Sequence, residues 1–157
     1  MSLRTLPFAI TLAALIPQTA SAFIFSCDVS ATDMAFGRYS GGEVTSTGGI
    51  TVACNGTGSG DGNRYIVTLS RGSSLTYLDR KLRSGLRSLS YNLYTDPAHT
   101  RVWGDGGGGT DVVARTMNFR GAFGEVSQTS TVYGKIPAQP LPRGGIYLDV
   151  IVAVVFF

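Results

Sequence analysis

Few side chains in this sequence could do chemistry. There is one imidazole, His99, and there are two thiols, Cys27 and Cys54. A thiol activated by a histidine would make a nucleophile, but His99 follows Asp96-Pro97-Ala98 and reads as a turn residue. Three Cys and His together cannot close a four-ligand zinc site. Asp105 and Asp111 could act as paired carboxylates, yet their glycine-rich flanks supply neither the fixed separation nor the burial that splits two pKa values. The run Gly104-Asp105-Gly106-Gly107-Gly108-Gly109-Thr110 has the glycine density of a phosphate cradle. No Gly-Lys-Ser/Thr follows it and no helix opens there, so it reads as a hairpin tip. No Ser/His/Asp arrangement has a local signature. The expectation is a protein that is not an enzyme and holds no cofactor or metal.

Two surface features remain. Arg80, Lys81, Arg83 and Arg87 form a basic cluster, a candidate contact for anionic glycan or lipid head groups. Trp103, Tyr94 and Tyr77 could stack on sugar rings beside it. The plain alternative is a solvated strand and turn. Asn55-Gly56-Thr57 matches the glycosylation sequon, which matters only where secreted proteins are glycosylated.

The elements that must carry these residues are short. At 157 residues the chain allows one ordinary domain. Apolar residues are 43% and charged residues 15%, too apolar and too weakly charged for a disordered chain. A net charge of +3 is too mild for a nucleic-acid binder, which gathers basic residues far more heavily. Apolar alternation recurs in short runs between Gly, Ser, Asn and Pro, the pattern of an all-β sandwich or barrel. Predicted strands are Cys27–Ala31, Met34–Tyr39, Gly49–Cys54, Tyr65–Ser70, Arg80–Leu82, Leu89–Thr95, Arg101–Trp103, Thr129–Ile136 and Ile146–Phe157. In Tyr65–Ser70 the residues Tyr65, Val67 and Leu69 share one face, as half-buried strands require.

The two ends of the chain differ from the middle. Arg4 precedes an apolar stretch from Phe8 to Ile16, then Pro17 and the small residues Ala20-Ser21-Ala22. That is the pattern of an export signal cleaved after Ala22, and the stretch is too short to span a bilayer. Residues 1–22 are thus predicted as signal peptide and 23–157 as the mature domain. Export to an oxidising compartment makes Cys27 and Cys54 a structural disulfide rather than a catalytic thiol. At the other end, Ile146–Phe157 is apolar on both faces, with Asp149 its only charge. Such a strand lies in a closed core, or sits at a sheet edge and offers its backbone to another chain.

Several motifs in order resemble one family. Cys27-Asp-Val29-Ser-Ala31, Phe36-Gly37-Arg-Tyr39 and Ile50-Thr51-Val52-Ala53-Cys54 resemble the opening of the spore coat protein U domain. Leu89-Ser-Tyr91-Asn92-Leu93-Tyr94-Thr95-Asp96, Val102-Trp103-Gly104-Asp105-Gly106, Val132-Tyr133-Gly134-Lys-Ile136-Pro137-Ala-Gln139 and Gly145-Ile-Tyr147-Leu-Asp149-Val150 continue the match. The resemblance implies a secreted pilin-type subunit of an archaic chaperone–usher system. Its fold would be an immunoglobulin-like sandwich lacking its final strand, assembled on surface pili for adhesion and biofilm formation. Implied partners are a periplasmic chaperone, an outer-membrane usher and neighbouring subunits, with an abiotic or glycan surface beyond them and no nucleic acid. The subunit would cross the periplasm and end on the cell surface or outside the cell.

Within that resemblance, Ile146, Leu148, Val150, Val152, Val154 and Phe156 are expected to form one wall of the open groove. The family's last strand usually alternates with threonines, and here Ile151, Ala153 and Val155 take those slots. With cleavage after Ala22, only Phe23, Ile24, Phe25 and Ser26 precede Cys27. Four residues reach about 13 Å, less than a typical strand. Such a subunit would accept a strand without donating one, as a tip or minor component. The competing expectation is a self-sufficient secreted carbohydrate- or surface-binding sandwich, closed by its own chain.

Overall fold

The computed structural model describes residues 25–56, 63–119 and 124–157. The predicted signal peptide, residues 1–22, lies outside the described residues. Among the described residues eight strands follow one another: β1 (Phe25–Ala31), β2 (Val44–Gly56), β3 (Asn63–Leu69), β4 (Arg80–Ser84), β5 (Arg87–Tyr94), β6 (Val113–Met117), β7 (Gly124–Ile136) and β8 (Ala153–Phe156). They form a five-stranded sheet in the order β1-β2-β7-β5-β4 and a three-stranded sheet in the order β6-β3-β8. Every ladder is antiparallel. The protein is an all-β sandwich, one of the two architectures the alternating pattern predicts, with the immunoglobulin-like form that the family resemblance implies.

The core follows from that alternation. Ile50, Val52 and Cys54 of β2, Tyr65, Val67 and Leu69 of β3, and Leu89, Tyr91 and Leu93 of β5 all turn inward and are buried. Val132 and Ile136 of β7 complete the floor between the sheets. Each large apolar side chain taken fully from water contributes about 1.5–3 kcal/mol. Hairpin β4–β5 closes through Gly85-Leu86, with Gly85 at φ 59° and Leu86 on the ordinary side. A first-position glycine of this kind suits the twist of a two-residue hairpin.

Cys27 and Cys54 form the predicted disulfide. They face each other in the β1–β2 ladder, so the bond fixes the outermost strand to its neighbour.

Arg80 and Trp103 correct an expectation. Both were candidate surface contacts, and both have 0% exposure. The Trp103 indole N–H donates to the Val67 carbonyl in β3 at 2.9 Å, while its backbone N–H donates to Leu93 in β5 at 2.8 Å. One residue therefore joins the two sheets. The Arg80 guanidinium donates to the carbonyls of Ser70 at 2.8 Å and Trp103 at 2.7 Å, and to Asn92 Oδ1 at 2.8 Å. Desolvation pulls its pKa below the ordinary arginine value, with Tyr91 the first of several neighbours opposing the shift. Buried charge persists only when such partners replace water. A basic residue in a charged run thus became an internal strut. Of the rest, Lys81 is paired with Asp79 at 2.8 Å and bonded to Ser90, and only Arg83 and Arg87 are well exposed.

Candidate functional site

The last segment of the chain does not form one twelve-residue strand. Leu148 exchanges both backbone bonds with Arg83 of β4, at 2.8 and 2.9 Å. Four residues later, the Val152 carbonyl accepts from Ser70 N–H at 2.8 Å and its N–H donates to Ser70 Oγ at 2.9 Å. β8 then pairs with β3 from Leu69–Ala153 to Ile66–Phe156. The segment leaves the edge of one sheet and joins the edge of the other, so no single ladder can run its length.

This crossing sets which backbone groups stay open. Antiparallel pairing sends the N–H and C=O of alternate residues to opposite sides. Val152 bonds toward β3, so Val154 and Phe156 do the same. The polar groups of Ile151, Ala153 and Val155 point to the other side, where no strand pairs among the described residues.

Beside that edge the sandwich is open. A groove runs between the Ala31–Tyr39 segment and the Leu141–Ala153 segment. It has one section of about 460 Å³ and a second of about 670 Å³. Its floor is the core itself: Ile50, Leu69, Tyr91, Leu93 and Val132 in the first section, Leu89 and Ile136 in the second. The Met34–Tyr39 run, predicted as a strand, has the alternation of one but no ladder. Its inward side chains, Met34 and Phe36, lie over glycines. A Cβ on Gly134 of β7 would overlap Met34 Sδ and come within 2.8 Å of Phe36 Cζ. A Cβ on Gly48 of β2 would approach Thr32 O to 3.3 Å. These glycines let the segment sit down on the sheet and stand as a wall.

Polar clips fix both walls. Tyr39 Oη accepts from Gln139 N–H at 2.8 Å and lies 3.0 Å from the carbonyls of Gly41, Pro137 and Gln139, one of which takes its proton. The Gln139 side chain grips both backbone groups of Ser90, at 3.1 and 2.8 Å, as a strand residue would. On the other wall, Asp149 Oδ2 accepts from Tyr91 Oη at 2.7 Å, and its Oδ1 accepts from Ser73 N–H at 2.9 Å. Burial first, and then the Asp149 bond, push the Tyr91 phenol well above the ordinary tyrosine range.

Asp149 also explains the orientation of the expected wall residues. Ile146 and Leu148 border the groove sections, but Val150, Val152, Val154 and Phe156 do not. Those four sit on the outer face, 78%, 55%, 42% and 56% exposed. Tyr147, Ile151, Ala153 and Val155 pack against the core instead. The resemblance gave Ile151, Ala153 and Val155 the polar slots of an outer face; with Asp149 held by Tyr91 and Ser73, that face turns inward. The sequence reading also missed Tyr39, Gln139 and Gly134 as supports of the site, although all three lie within the motifs it singled out. Among the described residues, no group of three His, Cys, Asp or Glu converges to hold a metal.

A family model described as the Spore Coat Protein U domain matches residues 13–154. The chain belongs to the spore coat protein U domain family. The match spans both walls of the groove and the disulfide that β1 carries. A search of curated proteins finds no match. Among solved structures, this spore coat protein U domain is similar to a chain in the crystal structure of the CsuC-CsuE chaperone-tip adhesion subunit pre-assembly complex, from archaic chaperone-usher Csu pili of Acinetobacter baumannii. Identity is 20% and the TM-score is 0.55, over 85% of this chain and 40% of that one. The likeness is one of fold, and this chain spans less than half of that longer chain.

Proposed function

We propose that this protein is a structural subunit of an archaic chaperone–usher pilus, completed by a strand from another polypeptide. One observation carries the reading: an apolar groove floored by the core lies beside a strand edge whose polar groups have no partner among the described residues. An extended peptide added to β8 would satisfy the outward groups of Ile151, Ala153 and Val155 and fill the groove above Leu69, Tyr91 and Leu93. Main-chain bonds then give affinity and alternate side chains give specificity. The partners on this reading are a periplasmic chaperone that lends the strand, an outer-membrane usher and neighbouring subunits. The assembled fibre would serve surface adhesion and biofilm formation.

A tip or minor position fits the start of the fold. β1 already uses Phe25 and Ser26 to pair with Gly56 and Asn55. With cleavage after Ala22, only Phe23 and Ile24 would precede β1. N-terminal sequencing of the exported protein checks this, and a mature start well upstream would remove it.

The central test is folding behaviour. Expressed in the periplasm without partners, the protein should aggregate or be degraded, and a supplied donor peptide should raise its melting temperature. A stable, cooperative monomer that ignores every such peptide would defeat the proposal.

A further inference from the structure

The groove is electrically polar along its length. Its smaller section is bordered by the carboxylates of Asp33 and Asp149 and by no Lys or Arg. Its larger section is bordered by Arg38 and Arg143, with Asp149 at the junction. Asp33, Arg38 and Arg143 are exposed, and their charged groups make no ion pair or side-chain hydrogen bond among the described residues. Asp149 is held in place by Tyr91 and Ser73. The groove thus has a negative end beside Ile151–Ala153 and a positive end beside Arg143–Gly144.

We infer that the groove selects the direction and charge pattern of its occupant: an extended peptide, antiparallel to β8, basic toward its N-terminus and acidic toward its C-terminus. This deepens the strand-addition reading and rests on it. The direction follows from the walls. The Ala31–Tyr39 wall has no ladder, whereas β8 offers aligned donors and acceptors, so pairing occurs on the β8 side. Every ladder in the fold is antiparallel, the slightly more stable arrangement. A strand entering antiparallel to β8 begins at the Ile151–Ala153 end, against Asp33 and Asp149. It finishes against Arg38 and Arg143. Its interior residues fill the apolar floor, so the charges belong at its ends. Like charges placed there would repel, which disfavours peptides of the opposite pattern.

Two end-blocked peptides with the same alternating Val/Thr centre test this, one with lysines before it and glutamates after it, the other with these charges exchanged. The full exported chain is refolded with both in equal amounts, and native mass spectrometry counts the complexes. The Lys-first peptide should be favoured about three- to tenfold at low salt, the scale of a few exposed charge pairs. Raising salt from about 0.01 M to about 1 M shortens the Debye length from roughly 30 Å to roughly 3 Å and should abolish the preference. Arg38→Glu with Arg143→Glu should also erase it, since neither side chain supports the fold. Equal uptake at low salt, or preference for the exchanged peptide, overturns the inference and leaves the groove reading standing. Uptake of neither peptide overturns both.

Discussion

Gly134→Ala isolates the seat of one groove wall. Gly134 is buried in β7 without a positive φ, so alanine suits its backbone, and a less flexible unfolded chain would stabilise the protein by about 0.4–1 kcal/mol. The new methyl opposes this by overlapping Met34 Sδ and approaching Phe36 Cζ to 2.8 Å. Met34 ends in a flexible thioether that can swing aside. Phe36 cannot, because its ring lies edge-on to Tyr91 with centroids 6.0 Å apart, a contact worth about 0.5–1.5 kcal/mol. Overpacking of this kind costs about 1–3 kcal/mol. The clash wins, and the net loss should be about 1–2 kcal/mol, read as a lower midpoint in urea with unchanged slope. Donor-peptide affinity should fall with it, because the wall leaves β7. Combining Gly134→Ala with Phe36→Leu should recover much of both losses, a coupling that neighbours in contact display. A neutral or more stable Gly134→Ala that binds peptide normally would refute the wall's seating.

Further outcomes follow from the same geometry. Arg80→Met should cost about 2–6 kcal/mol in chemical denaturation, since it leaves the carbonyls of Ser70 and Trp103 without their donor, while Asn92 Oδ1 keeps only the Leu93 N–H. Tyr91 is raised above 10.0 in the folded protein, so the unfolded chain ionises first and its contribution is complete below pH 10. Stability should therefore decline as pH climbs beyond that value, and Tyr91→Phe should flatten the decline in a pH series of melting curves while lowering stability at neutral pH. Cys27→Ser with Cys54→Ser opens a 27-residue separation and should remove about 3 kcal/mol, or on the order of 10 °C in Tm, measurable by scanning calorimetry.

The parts of the fold legible in sequence are those where one face is plainly wet. Tyr65, Val67 and Leu69 alternate with polar or half-exposed neighbours, and the structure buries that face. β6 was missed because Val113-Ala-Arg-Thr-Met buries only Met117, leaving too little alternation to register. Met34–Tyr39 misled in the opposite way: its pattern is that of a strand, but its backbone has no partner. The last segment escaped because both of its faces are apolar, so pattern could not set the phase. A single hydrogen-bonded carboxylate, Asp149, decided it. Arg80 and Trp103 looked exposed because charge and aromaticity signal chemistry in sequence, whereas burial depends on acceptors contributed by residues as distant as Ser70 and Val67.

The disulfide on the outermost ladder governs how the molecule bears a pull. Without it, tension on the residues ahead of Cys27 would peel β1 away one rung at a time, the weakest loading geometry a sheet can meet. Tied to Cys54, that tension passes straight into β2, which pairs with β7 along thirteen residues. The load must then shear a long ladder all at once, and the chain between the two sulfurs can never be paid out as slack.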